Sequence, residues 1–125
     1  MESTIKTFED ACAALGLNSA EEIPFANPKN GNQKAVNAAA KLFIIANSLN
    51  DDWVPNWDDW NQLKYYPWFD MRSKAAGGSG FSYYDYFCAD DRSTAGSRLV
   101  YKDRETAEYA GTQFLDIYRD LMVVE

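Results

Sequence analysis

Residues 53–69 read WVPNWDDWNQLKYYPWF, and the rest of the chain is arranged around this stretch. It gathers four Trp, two Tyr and one Phe around two prolines and the acidic pair Asp58 and Asp59. Such rings carry large apolar surfaces, and Trp and Tyr also have a polar end that seeks a partner. In mid-chain they can seal one end of a small core and still leave a ring or two at the surface. Trp53, Trp57 and Trp60 have helical spacing, but Pro55 limits any helix to a turn or two starting at Asn56 or Trp57. Pro67 cannot donate to a ladder, so residues 64–72 read as an edge strand or an irregular extension.

Upstream, Thr7 caps a short helix with Asp10 as its box partner, and Phe8, Ala11, Cys12 and Leu15 follow at helical spacing. Gly16 is placed to end it, and Ile5 can pack back on its first turn. Ser19 and Glu22 form a second capping signal that Pro24 stops within about a turn. Residues 25–33, FANPKNGNQ, read as an exposed loop with the turn signal Asn30-Gly31. A long helix then runs from Asn32 or Gln33 to Leu49. Its stripe is Ala35, Ala38, Ala39, Leu42, Ala46 and Leu49, widened by Phe43 and Ile45, and Asn50 is its stop.

Downstream, SKAAGGSG (73–80) is a loop, FSYYDYF (81–87) a strand of mixed alternation, and CADDRSTAG (88–96) a polar turn region. Residues 97–102, SRLVYK, make a short third strand. Asp103 caps the last helix, with Glu105 and Glu108 near its positive end and Ala107, Ala110, Phe114, Ile117 and Leu121 on one face. Gly111 costs about 1 kcal/mol inside a helix, which points to close backbone approach there. The expectation is one α+β domain over residues 1–125. Three main helices, near 7–15, 33–49 and 103–121, pack on a small three-stranded antiparallel sheet from 64–72, 81–87 and 97–102.

The 125 residues suffice for a single core, and an aromatic share of 15% argues against disorder. The net charge is −7, with nine acids against four bases in residues 1–60 and ten against eight in 61–125. That field repels phosphate and offers no overall footprint for duplex binding. No His is present, so histidine general-base chemistry and His-ligated zinc are excluded. Cys12 and Cys88 form no CxxC and read as reduced thiols, Cys12 as core filler. The N-terminus lacks the regions of a secretory signal and no run approaches a membrane span, so a soluble cytoplasmic protein is expected.

The chemistry-bearing patterns are sparse. Asp51/Asp52, Asp58/Asp59 and Asp90/Asp91 do not match a calcium-loop spacing and read as solvated or capping carboxylates. GGSG at 77–80 lacks the GK[ST] ending of a phosphate loop, and Ser79 lacks both the elbow pattern and a His partner. Cys88 also lacks a histidine, although Arg92 or Arg98 can lower its pKa. No catalytic residue, metal ligand or cofactor is expected. The aromatic cluster remains: Tyr65, Tyr66, Trp68, Tyr83, Tyr84, Tyr86 and Tyr101 lie on extended pieces where every second side chain faces out. Inward rings make core; outward rings beside Lys64, Arg72, Arg98 or Lys102 can grip a peptide or stack bases.

Taken together, IKTFEDACAALG (5–16), the Ala-rich helix, the WxPxW hook (53–57), KYYPWF (64–69), GFSYYDYF (80–87), GSRLVYKDRETAEYAG (96–111) and QFLDIYRD (113–120) cover nearly the whole chain. In these pieces the sequence resembles a family of small uncharacterised proteins encoded in Bacteroidetes genomes and in their phages or prophages. The resemblance implies a mobile-element-associated protein and brings no catalytic residues. The expected function is therefore non-catalytic: an accessory protein that binds another protein through an aromatic patch drawn from Trp57, Trp60, Lys64, Tyr66, Trp68, Tyr84, Arg98 and Tyr101. Two alternatives stand beside it. One is a small-ligand protein or His-free enzyme in which Asp85, Asp90 or Asp91 meets Arg92 or Arg98 beside Tyr rings. The other is a nucleic-acid module with Lys64, Arg72, Arg98 and Lys102 on one face.

Overall fold

The computed structural model describes residues 3–59, 61–72, 74, 80–89 and 96–124. Helix α1 (Phe8–Ala14) opens on the expected capping box. The Asp10 N–H donates to Thr7 Oγ1 and the Thr7 N–H donates to Asp10 Oδ2, both at 3.1 Å. The Lys6 N–H bonds the same carboxylate, and these donors hold Asp10 below the usual carboxylate range. Gly16 ends the helix at φ +70, with Leu17 N–H donating to Cys12 O and Gly16 N–H to Ala13 O, the two bonds of a Schellman motif. The next capping signal yields a single 3-10 turn, Ser19–Glu21, with Asn18 as its cap.

Helix α2 (Gly31–Asn50) starts earlier than the spacing suggested, because Asn30 is its cap: Asn30 Oδ1 accepts from the Gln33 N–H at 2.9 Å. Ala38, Leu42, Ile45, Ala46 and Leu49 are buried along it, as read from the sequence. Two amides are buried with them. Asn37 accepts from the Phe25 N–H and donates to Phe25 O, both at 2.9 Å. Asn50 donates to Val100 O at 2.9 Å and accepts from the Lys102 N–H at 3.0 Å. Each side-chain amide thus pairs with passing backbone as a strand would.

Among the described residues the sheet has two strands, β1 (Lys64–Asp70) and β2 (Ser82–Ala89), paired antiparallel. The expected third strand at 97–102 is reduced to one bridge, Tyr65 with Tyr101. Their backbones exchange bonds of 3.0 and 2.6 Å, so the peptide groups of Tyr65 point away from β2. By alternation the next outward-facing residue is Pro67, which has no N–H to offer. Leu99 N–H turns instead to Gly96 O at 2.7 Å, and the ladder stops. On its far side the 100–102 segment is held by the Asn50 amide.

The single C-terminal helix expected over 103–121 is two helices, α3 (Arg104–Gln113) and α4 (Leu115–Met122). Asp103 caps α3, its Oδ1 accepting from the Thr106 N–H at 2.8 Å. Near the end of α3, Thr112 Oγ1 bonds back to Glu108 O and Tyr109 O, an arrangement that bends helices. Phe114 then leaves helical geometry at φ −109, ψ 30, with its ring buried. The break lets α3 lie across both strands while α4 packs on α2, which also carries α1. Phe8, Cys12, Leu42, Ile45, Phe69 and Phe114 meet in the core between these layers. Both cysteines are free thiols, and burial pushes the Cys12 thiol up. Among the described residues no helix is long and apolar enough to cross a membrane.

Candidate functional site

The side of the sheet on which each ring lies is set by a bulge. Tyr66 pairs with Phe87 and Pro67 with Tyr86, but the register slips between Trp68, opposite Asp85, and Phe69, opposite Tyr83. Tyr84 is the extra residue. A bulge lets two residues of one strand oppose one of the other and re-aims a side chain. Tyr83 and Tyr86 therefore both lie on the α3 side although they are three apart. Tyr83 touches the Gly111 backbone, and Tyr86 sits 6.0 Å from the Tyr65 ring and bonds Arg104. Tyr84 is turned to the opposite side, beside Trp68.

There the two rings meet edge to face, with centroids 5.8 Å apart and an interplanar angle of 80°. Trp68 is 52% exposed and Tyr84 65%. Met71, half exposed, extends the apolar surface. Arg72 closes it, its Nε and Nη2 donating to the two Asp70 oxygens at 3.1 and 3.2 Å while its own N–H donates to Oδ1 at 3.0 Å. The Asp70 carboxylate raises the Arg72 guanidinium further still, and Tyr84 adds to this. These residues border an open depression of about 330 Å³.

The other expected site residues lie elsewhere. Lys64 and Tyr101 are corrections, because neither reaches the surface. Tyr101 is fully buried and shares a 2.8 Å hydrogen bond with the Tyr118 hydroxyl. Burial pushes both phenols above their ordinary range. Lys64 is also 0% exposed, its Nζ donating to three backbone carbonyls with the half-buried Trp57 ring 5.0 Å away. Trp57 thus lies half-buried beside this lysine. Trp60 lies outside the described residues. Tyr66 borders an apolar recess of about 320 Å³ with Pro67, Phe69, Leu99, Tyr118 and Leu121. Arg98 lies over the Phe43 ring at 5.9 Å, in a different recess lined by Ala39 and Leu121.

Of the eight, the structure brings Trp68 and Tyr84 together at the surface. Asp70 and Met71 join them, and sequence reasoning missed both. Their signal was available in the run WFDMR, where an acid and a base two apart flank an exposed apolar residue. Of the carboxylate–arginine alternative, the described members are Asp85, whose Oδ1 accepts from the Tyr86 N–H at 2.8 Å, and Arg98, which lies over the Phe43 ring. Asp90, Asp91, Arg92, Ser79 and the glycines at 77–78 lie outside the described residues. Among the described residues no three His, Cys, Asp or Glu side chains are grouped to hold a metal. No protein-family model, curated protein or solved structure matches the chain.

Proposed function

We propose that the protein is a non-catalytic accessory protein that binds another protein through the Trp68–Tyr84 surface. The observation that carries this reading is the exposed edge-to-face pair itself, on paired strands beside Met71 and the Asp70–Arg72 ion pair. Large rings left half in water supply contact area at low entropic cost, and Trp, Tyr and Arg are the residues that most often anchor interfaces. Because both rings stand on hydrogen-bonded strands, little ordering remains to be done on association. The resemblance to Bacteroidetes phage and prophage proteins gives the proposal its setting, an accessory role in a mobile element.

The test is affinity capture from a Bacteroidetes lysate after nuclease treatment, comparing the wild-type chain with a Trp68→Ala/Tyr84→Ala double variant of unchanged circular dichroism. A stoichiometric protein retained by the wild type and lost by the variant is the expected result. The same protein retained equally by both chains would remove the patch from the function. A catch abolished by nuclease would replace this reading with nucleic-acid binding.

A further inference from the structure

Lys64 opens β1 with its side chain wholly buried, and among the described residues no carboxylate pairs with it. A buried charge persists only where other groups replace its water. Here the replacement is complete. Nζ has three N–H bonds to give, and three carbonyl oxygens receive them: Asn56 O at 2.7 Å, Gln62 O at 2.9 Å and Asp59 O at 3.2 Å. The Trp57 ring adds an attractive π face 5.0 Å away.

The three carbonyls come from every third residue of one short loop. Their convergence is supported by bonds inside that loop: Asn56 N–H to Gln62 Oε1, Asp58 N–H to Asn56 Oδ1, and Asn61 N–H to Asp59 Oδ1. Carbonyl oxygens aimed at one point repel unless a cation lies between them. The distances are those of an ammonium or a potassium-sized ion stripped of water, as in carbonyl-lined ion sites.

We propose that the backbone carbonyls of Asn56, Asp59 and Gln62 form a binding site for a small ammonium cation, a site the chain fills with its own Lys64 side chain. The loop takes its shape around that cation, and the hook is fastened to the sheet through it. The ligand class follows from the cage: a primary ammonium with three N–H donors and an apolar tail in the space the buried Lys64 stem occupies.

The experiment removes the tail and supplies the cation from solution. In Lys64→Ala, n-propylammonium replaces the missing atoms, and tetramethylammonium at equal ionic strength is the control that cannot donate. The expected result is a lowered Tm and altered Trp emission in the variant, both restored saturably by n-propylammonium and not by the control. Equal response to both salts, or no response in a folded variant, would overturn the proposal. If the variant does not fold under any of these conditions, acylation of the wild-type amines decides. Lys64 should then react slower than exposed Lys34 by about tenfold or more, since it is reached only through local opening. Equal rates would overturn the assignment.

Discussion

Gly111 of α3 lies against Pro67 of β1 so closely that a Cβ at Gly111 would sit 2.6 Å from the proline Cβ and 2.7 Å from Tyr83 Cδ1. The helix is laid directly on the strand, and the hydrogen on Cα is what permits it. Gly111→Ala gains about 1 kcal/mol of helix propensity but forces a clash on two ring systems. Overpacking of this kind costs about 1–3 kcal/mol, and Pro67 is too rigid to yield cheaply. A lower denaturation midpoint is expected, and an unchanged or higher one would mean that α3 stands off the sheet.

Asn50→Ala should be more damaging than its position at a helix end suggests. It leaves Val100 O and Lys102 N–H without the amide that serves both. An unsatisfied buried group costs about 1–3 kcal/mol, so a loss of about 2–4 kcal/mol is expected in urea denaturation. Amide hydrogen exchange localises the effect, with the Lys102 N–H losing its protection first.

Asp51 follows at φ 55, ψ −119, a conformation natural to glycine and strained for any other residue. Relief of such strain is worth about 1–3 kcal/mol, partly offset by the freedom glycine has when unfolded. Asp51→Gly is expected to raise stability by about 1 kcal/mol, read as an increased Tm.

Alkaline pH should unfold the protein in a tyrosine-dependent way. Burial first, then Glu108, Asp85 and Tyr86, push the Tyr83 phenol from 10.0 to about 12, and burial raises Tyr101 and Tyr118 as well. The native state therefore keeps protons that the unfolded chain releases near pH 10. Stability is fully present below that pH and falls as pH rises through 10 to 12. Absorbance at the tyrosinate band should show these phenols ionising together with loss of structure. In Tyr83→Phe the decline should be shallower.

Among the described residues no strand pairs with the outer edge of β2, where Asp85 stands. Tyr86 pairs with Pro67, whose peptide group points outward, so the Tyr86 N–H points away from β1 and is taken by Asp85 Oδ1. Charges at such edges oppose strand addition. Asp85→Ala frees the donor and removes the charge, and concentration-dependent self-association is expected by light scattering, with the wild type unaffected.

What the sequence disclosed was local. Thr7 with Asp10, Gly16 and Asp103 are caps whose partners lie within four residues, and Gly111 announced a close approach by being costly where it stands. The readings that failed depended on distant partners. Residues 97–102 alternate like a strand, yet Pro67 withholds the donor that a third strand needs. Tyr84 is outward because the register slips at Trp68, and no alternation rule locates that slip. Lys64 looks like a surface cation until the carbonyls of Asn56, Asp59 and Gln62 turn toward it. The aromatic cluster was visible as a group; its division into core and surface was not.

The break at Phe114 also orders events during synthesis. Residues 104–113 roof the hairpin and 115–122 buttress α2, so both parts of the core are finished by one segment made after the strands themselves. Until that segment leaves the ribosome, Pro67, Phe69 and Tyr83 have no roof. A chain in which that segment has not yet folded carries an uncovered aromatic hairpin. The same rings that α3 later hides are then exposed together with Trp68 and Tyr84, and the molecule becomes selective in what it presents only when its last helices fold down.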